Sequence, residues 1–499
     1  MNALKELKEI FTDLTRLRDL NNLLEWDQQV YMPRSNDSAK GRSEQKALIK
    51  RIFHELLISK KTKKLLKEAE KLKDLDIIDS AILREAKKEY ERAIKVPINL
   101  VTEIAKTTSL GYQAWEKAKL KSNFKIFHPY FNKIVNLKRQ YAEKIDIGST
   151  KYDSLIDIYE PGANLKWISN LFDELKPKLV KIVEKLDTSQ KRPNQLILKK
   201  YYDPEKQWKF SIEILKKLNF DFDIGRQDKS VHPFTTSLSS RDIRITTRIL
   251  ENFLPACLFG TIHECGHALY EMGFMEEIHN TFLADGSSLG IHESQSRLFE
   301  NIVGRSREFW SYWYPILQKF FPENLKSYSE YEFYRSINSV EPSLIRVEAD
   351  EITYGLHIIL RFELEKELIN NDLSVAETPQ LWNSKMEDLL GIAPKNDAEG
   401  ILQDVHWSNG AFGYFPTYTL GNLYASQIYS TALKKNPSIP DDIQKGNFSN
   451  LLNYLRNEIF RFGRIYRPLN LIKMISGAEL NPNYFIKYLE NKFYPIYKS

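Results

Sequence analysis

Two histidines four residues apart, with a glutamate directly after the first, place the strongest constraint on how this chain can fold. They are His263, Glu264 and His267, and no proline interrupts the stretch from Phe259 to Met275. Residues four apart lie on one face of an α-helix, so both imidazoles can reach a single ion. Glu264 follows His263 directly, so its carboxylate can reach a water held by that ion. The spacing therefore predicts a helix that carries two metal ligands and a general base.

Most of the remaining sequence predicts helix. Residues 41–146 are rich in Lys, Glu, Leu and Ala, with few helix breakers, and helical patterns resume at about Ser287. A loop is predicted from Tyr152 to Gly162. The exception is the stretch 242–249, in which Ile243, Ile245 and Ile249 alternate with polar residues, a pattern typical of a half-buried β-strand. Without an internal repeat or a Gly/Ser linker, the 499 residues predict one mainly α body with a small β insertion before the metal helix.

Composition and charge exclude several classes of function. The net charge of +6 arises from 72 Lys and Arg interleaved with 66 Asp and Glu, a pattern that does not favour nucleic-acid binding. Cys257 and Cys265 are too few for a disulfide framework, which suits a reducing compartment. The N-terminus lacks a secretory apolar core, and no apolar run approaches a membrane span. We therefore expect a cytoplasmic protein with no nucleic-acid or membrane partner.

A third metal ligand should come from a nearby helix, and the segment from Ile291 to Arg297 is the best candidate. Two histidines and one glutamate, with water in the fourth position, form an open catalytic coordination set. Spacing alone leaves Glu293, Glu300 and His292 as alternatives for this ligand.

A second polar constellation follows Pro342, where proline predicts the start of a helix. The expected helix carries an ionisable stripe on an otherwise apolar surface. The stripe comprises Arg346, Asp350, Tyr354, His357 and Arg361. Such a stripe indicates the wall of a groove, with a buried ion-pair network as the alternative. Arg346 can hold a carboxylate through a bidentate fork.

The segment from Gln403 to Tyr418 combines glycines and a proline, which predict a loop, with several hydrogen-bond donors. His406, Tyr414 and Tyr418 are donors of the kind that a tetrahedral oxyanion needs. A packed aromatic loop is an equal alternative. No Gly-rich phosphate loop or Gly-x-Ser-x-Gly elbow accompanies these elements, so nucleotide chemistry and serine hydrolysis have no support.

In their order, these segments resemble the metallocarboxypeptidases of the thermostable carboxypeptidase Taq type. The resemblance extends from near residue 20 to about residue 430. The matching motifs are Trp26-Asp27, Met32-Pro33, Tyr159-Glu160-Pro161-Gly162, His232-Pro233-Phe234, Asp242-x-Arg244-x-Thr246, His263-Glu264-x-x-His267, His292-Glu293-Ser294-Gln295, Ile345-Arg346-x-x-Ala349-Asp350 and Gly400-x-x-Gln403-Asp404-x-His406-Trp407.

The resemblance implies an almost all-helical fold with a deep substrate groove, related in shape to neurolysin and angiotensin-converting enzyme. One peptidase domain would cover residues 1–499. Its N-terminal helices, residues 1–230, would form one groove wall, residues 231–250 would close the groove, and residues 251–499 would hold the metal-binding and catalytic helices. The implied activity is a homodimeric carboxypeptidase that releases single C-terminal residues from peptides with broad specificity. A metal-dependent endo-oligopeptidase with the same site is the nearest alternative, and a non-catalytic peptide-binding or scaffold protein is another.

The resemblance also implies which residues form the site. The metal ligands would be His263, His267 and Glu293, holding Zn²⁺ or, since the same ligands accept them, Co²⁺ or Mn²⁺. Glu264 would be the general base for a metal-activated water. Arg297 occupies the position at which thermolysin-like enzymes place an aspartate. This comparison therefore does not identify the group that orients the histidines.

Two further sets of residues follow from the same resemblance. His406, Tyr414 and Tyr418 would act with the general base by stabilising the transition state. The substrate-binding residues would be Arg346, Arg244, His232 and Asp350, of which the two arginines would grip the terminal carboxylate of a peptide.

Overall fold

The computed structural model describes residues 2–370 and 373–498 of the chain. The N-terminal part consists of helices joined by short connections. Its helices are α1 (Asn2–Val30), α2 (Asn36–Leu57), α3 (Lys60–Ala69), α4 (Ile77–Lys95), α5 (Ile98–Leu120), α6 (His128–Ile145), α7 (Lys151–Tyr159), α8 (Leu165–Asp187) and α9 (Pro204–Lys217). The successive long helices predicted over residues 41–146 are confirmed.

Helices also dominate the part that follows the sheet. They are α10 (Leu254–Met272), α11 (Leu289–Arg297), α12 (Arg307–Phe320), α13 (Pro322–Leu325), α14 (Glu330–Ile337), α15 (Thr353–Asn370), α16 (Thr378–Leu390), α17 (Pro416–Lys435), α18 (Ile439–Gln444), α19 (Ser449–Glu458), α20 (Pro468–Ser476) and α21 (Asn483–Lys498). The fold is mainly α, as predicted. No helix in the described ranges is both long and apolar enough to span a membrane.

Three short strands form one sheet between α9 and α10. They are β1 (Gly225–Lys229), β2 (Thr235–Ser239) and β3 (Asp242–Thr247). Their order is β1-β3-β2, with β1 parallel and β2 antiparallel to β3. Ile243 and Ile245 are fully buried, as predicted, but Thr246 and Thr247 are both buried as well, and β3 ends before Ile249. The sequence did not predict β1 or β2.

Among the described residues, most buried apolar side chains belong to one large cluster or to one of two small ones. The large cluster surrounds α10, whose Ile262 and Cys265 are fully buried. A smaller cluster packs α1, α3 and α4 together through residues such as Leu7 and Leu65. Phe282 joins this smaller cluster through an edge contact with Phe11, with the ring centroids 4.5 Å apart. The metal helix therefore lies inside the main core, where its side chains are held in fixed positions.

Helix α11 packs closely against α10 and α17 at two glycines. A Cβ atom at Gly266 would lie 2.6 Å from the carbonyl oxygen of Gln295, and one at Gly421 would lie 2.6 Å from Cγ of Glu293. Any larger residue at either position would force the helices apart. These close approaches fix α11 relative to the metal helix.

Two elements differ from the sequence prediction. The predicted loop over 152–162 is largely helix α7, because Thr150 and Asp153 form a capping box at its start. The helix predicted after Pro342 does not form there: Arg346–Glu348 is a single 3₁₀ turn, and α15 begins at Thr353. The stripe from Arg346 to Arg361 is therefore divided between a turn and a helix.

Candidate metal centre

His263, His267 and Glu293 converge on one point between α10 and α11. One ligand atom from each residue lies within 4.8 Å of the other two. Nε2 of His263 and Nε2 of His267 lie 3.7 and 3.5 Å from Oε2 of Glu293. Ligands about 2.0–2.1 Å from a tetrahedral ion are about 3.4 Å apart, so these three atoms fit a single divalent ion.

Glu300 and Arg297 surround this set on one side. Nδ1 of His263 lies 2.8 Å from Oε2 of Glu300, which leaves Nε2 to face the other ligands. Arg297 donates from Nε to Oε1 of Glu293 over 2.6 Å and lies 3.4 Å from Glu300. Burial raises the pKa of Glu293, but the charges of Arg297 and His263 outweigh it and hold that pKa well below its ordinary value. Glu293 therefore carries the negative charge that a cation requires.

His267 is held differently. Its Nδ1 atom is buried and has no hydrogen-bond partner in the described part of the chain. Its ring stacks on the ring of His292, with centroids 4.5 Å apart and an interplanar angle of 25°. Nε2 of His292 lies 2.7 Å from Oε1 of Glu271. Packing against an anchored ring therefore orients His267.

Glu264 is almost fully buried beside the metal ligands. Its Oε2 accepts a hydrogen bond from the Thr235 hydroxyl over 2.7 Å. Burial raises the pKa of Glu264 above its ordinary value. A carboxylate with a raised pKa binds a proton more readily, which suits a general base. Thr235 belongs to the segment expected to close a groove, but no pattern in the sequence predicts this particular contact.

His406, Tyr414 and Tyr418 form a cluster at the start of α17. The Tyr418 hydroxyl lies 3.2 Å from Nε2 of His406, and the Tyr414 ring lies 5.3 Å from that of Tyr418. Burial, reinforced by the charge of Glu293, raises the pKa of Tyr414 to about 12. Its hydroxyl therefore remains a donor at neutral pH. Burial lowers the pKa of His406 to about 4, so that its ring is neutral.

Arg346 lies in a buried ion-pair network, the alternative weighed for the ionisable stripe. Its Nε and Nη2 donate to Oδ1 of Asp404 over 3.0 and 2.6 Å, and Arg361 donates to Oδ2 over 2.7 Å. Nη1 of Arg346 donates to the Tyr354 hydroxyl over 2.9 Å. The Tyr354 ring in turn lies 4.5 Å from the guanidinium carbon of Arg297. Two cations share one carboxylate here, which leaves a net positive charge near the metal ligands.

The structure does not bring Arg244 to the metal set. Arg244 pairs with Thr236 across the sheet, whereas Thr235, which contacts Glu264, pairs with Ile245. Adjacent residues of a strand point to opposite faces, so the Arg244 side chain leaves the sheet away from Glu264. It pairs with Asp242 and lies 4.2 Å from the ring of Trp26 on α1.

His232 and Asp350 also have other surroundings. His232 is exposed, and its carbonyl accepts a hydrogen bond from the Ser230 hydroxyl. Asp350 accepts from the N–H groups of Ile352 and Thr353 at the start of α15, over 2.9 and 3.0 Å. Within residues 2–370 and 373–498, no hydrogen bond or ion pair joins either residue to the metal set. Asp350 thus stabilises a helix start.

Comparison with known proteins places this geometry in context. The model of the carboxypeptidase Taq (M32) metallopeptidase family matches residues 6–493. The chain is 40% identical to carboxypeptidase 1 of Bacillus subtilis over 98% of each chain. It is 38% identical to thermostable carboxypeptidase 1 of Thermus thermophilus over 99% of each. The solved structure of an M32 carboxypeptidase from Deinococcus radiodurans superposes with a TM-score of 0.97 at 35% identity, over 100% of both chains.

Proposed function

The chain belongs to the carboxypeptidase Taq (M32) metallopeptidase family and is a metal-dependent carboxypeptidase, and we propose that it releases single C-terminal residues from peptides with broad specificity. The observation that carries this proposal is the connection of three features through side-chain contacts. They are a His₂Glu ligand set, a buried carboxylate beside it and an arginine network with net positive charge. Each supplies one requirement of C-terminal peptide hydrolysis.

We propose that His263, His267 and Glu293 hold one divalent ion, and that this ion is Zn²⁺. Two histidines and a glutamate are a common catalytic zinc set, although the same ligands accept Co²⁺ or Mn²⁺. An ion bound there supplies Lewis-acid chemistry and makes a water more acidic. Glu300 fixes the orientation of His263, and Arg297 fixes that of Glu293.

Glu264 acts as the general base in this proposal. It takes a proton from the water that attacks the scissile carbonyl carbon and later transfers that proton to the leaving amine. The hydroxyl of Thr235 holds the carboxylate in place. Donors from His406, Tyr414 and Tyr418 stabilise the negative charge that develops on the carbonyl oxygen.

Arg346 selects a free C-terminus by binding its carboxylate. The Arg346–Asp404–Arg361 network has one cation more than it has carboxylates, so a substrate carboxylate completes its charge balance. The planar guanidinium is suited to such an acceptor. A peptide that lacks the free carboxylate leaves the excess positive charge of this buried network unbalanced, which favours exopeptidase over endopeptidase activity.

Two experiments test the proposal. A peptide with a free C-terminus should yield a ladder of products shortened by single residues, read by mass spectrometry, and a chelator should abolish the ladder. The Glu264→Gln variant should retain its metal content but lose at least about 10²-fold in kcat. A variant that kept substantial turnover would contradict the role of Glu264.

We also propose a cytoplasmic homodimer. Both cysteines are buried and unpaired, which suits a reducing environment. The mass of the purified protein, measured by light scattering after size-exclusion chromatography, distinguishes a dimer from a monomer.

A further inference from the structure

A cavity of about 600 Å³ lies between the N-terminal helices and the start of α11. Two of its lining side chains connect it to the site. His292 stacks on His267, with centroids 4.5 Å apart, and the ring of Tyr159 lies 5.1 Å from that of Tyr414. The cavity therefore begins one side chain away from the metal set. Its volume falls within the range of ligand-binding pockets.

The cavity and the arginine network are connected to different metal ligands, and the cavity adjoins His267 through His292. None of the network residues Arg346, Arg361 and Asp404 lines the cavity. The network reaches Glu293 through Tyr354 and Arg297. A peptide whose carboxylate lies at Arg346 and whose scissile bond lies at the metal set can therefore extend its upstream residues past His292 into the cavity.

Positive charge dominates the lining of this cavity. Five lysines and arginines stand against three carboxylates. The cations are Arg84, Lys88, Arg92, Arg464 and Arg467. Two carboxylates are each paired with more than one cation.

The shared carboxylates are Asp285, which lines the cavity, and Asp157, which does not line it but pairs with two of its cations. Lys88 and Arg92 lie 3.3 and 2.5 Å from Oδ2 of Asp157. Arg464 lies 2.9 Å from Asp285, which also pairs with Arg18. A third centre of charge is exposed Arg467, which forms no ion pair with any residue in 2–370 or 373–498. Cations outnumber their internal partners at this site, so an incoming carboxylate would find donors available.

We propose that this cavity binds the upstream part of the peptide substrate and selects acidic side chains there. The inference rests on the proposed carboxypeptidase activity and extends it to a substrate preference. Glutamate or aspartate two or more residues before the scissile bond would lie among Lys88, Arg92 and Arg467. The preference is electrostatic, so salt weakens it where the cations are exposed.

Two N-acetylated hexapeptides with free C-termini test this inference. They share their first residue and their last two residues, and carry either three Glu or three Gln between them. The wild-type enzyme should show a kcat/KM for the Glu peptide that is about fivefold higher, a ratio that falls with added NaCl. The Lys88→Gln/Arg467→Gln double variant should lose this ratio. Because the ratio compares two substrates in one enzyme, it does not depend on the folded fraction.

Lys87→Gln is the matched control, because Lys87 is adjacent to Lys88 on α4 but pairs with Glu70 outside the cavity. This variant should keep the wild-type ratio. Equal kcat/KM values for both peptides in the wild type, or a preference that survives the double variant, would overturn the inference alone. Failure to hydrolyse either hexapeptide or an N-blocked dipeptide would overturn the carboxypeptidase proposal and this inference together.

Discussion

Glu300 accepts the Nδ1 proton of His263 across 2.8 Å, and thereby does what the residue four positions after the third ligand does in thermolysin-like sites. That position is Arg297 here, and its cation instead bridges Glu293 and Glu300. Burial raises the pKa of Glu300, but the hydrogen bond from His263 and the charge of Arg297 outweigh it and lower that pKa to about 2. Glu300 therefore accepts as a carboxylate throughout the physiological range.

This contact predicts that Glu300→Ala lowers metal affinity. Loss of a group that orients a ligand typically reduces affinity about 10–100-fold. Competition with a chromophoric chelator measures the Kd directly, and Glu323→Ala, at an exposed site on α13, is the control. An unchanged Kd in Glu300→Ala would show that His263 needs no such partner.

The two arginines that share Asp404 should respond differently to lysine. Arg346→Lys should lower kcat/KM on a peptide with a free C-terminus by about 10–100-fold, because it removes a charged fork from the substrate. Arg361→Lys, at a fully buried position in the same network, should have a much smaller effect on kcat/KM. Urea unfolding would correct both values for stability. Equal losses of kcat/KM in the two variants would mean that the network stabilises the fold without binding the substrate carboxylate.

The approach of α17 to α11 predicts a sensitive glycine. A methyl group at Gly421 would overlap Cγ of Glu293, so Gly421→Ala should destabilise the fold by about 1–3 kcal/mol and weaken metal binding. Gly41→Ala on α2 is the control, since nothing lies within 4 Å of its added Cβ, and it should stabilise by about 0.5–1 kcal/mol. Chemical denaturation and chelator competition measure both quantities. If Gly421→Ala kept the stability and the metal affinity of the wild type, the packing of α17 would not position Glu293.

Glu160 predicts a pH dependence of stability. It accepts hydrogen bonds from Gly290 on α11 and from Tyr424 on α17, and burial raises its pKa from 4.5 to about 7. The folded state thus binds the proton more tightly than the unfolded state. The stabilisation is complete below about pH 4.5 and is lost as the pH rises through about 7.

Wild-type protein should therefore lose up to about 3 kcal/mol relative to Glu160→Gln between pH 5 and pH 8. Urea unfolding of both proteins in the presence of chelator measures this difference without a contribution from the metal. A difference that stayed constant across this range would show that Glu160 is ionised in the folded protein even at pH 5.

Periodicity and motif spacing were sufficient to predict the helix that carries His263 and His267. They also predicted that Ile243 and Ile245 of β3 are buried, but not that the neighbouring Thr246 is buried too. They did not predict which side of the sheet Arg244 would reach. Alternation assigns residues to the two faces of a strand, but it does not show which element packs on either face. Strands β1 and β2 lack a regular alternation of buried and exposed residues, and they depend on pairing with β3.

The other errors arose where local signals competed with each other or with distant contacts. Thr150 and Asp153 have the spacing of a capping box, a signal that could have predicted α7. Pro342 predicts a helix start, but the carboxylate of Asp350 caps α15 eight residues later. Arg346 pairs with Asp404, 58 residues further along the chain, and spacing along the sequence does not predict that contact.

The most direct test of the carboxypeptidase account offers the enzyme one peptide in two forms, with a free and with an amidated C-terminus. Mass spectrometry reads the products before and after chelation. The account predicts stepwise loss of single C-terminal residues from the free form only, abolished by the chelator. Internal cleavage of both forms would contradict it and identify an endo-oligopeptidase that uses the same ligands.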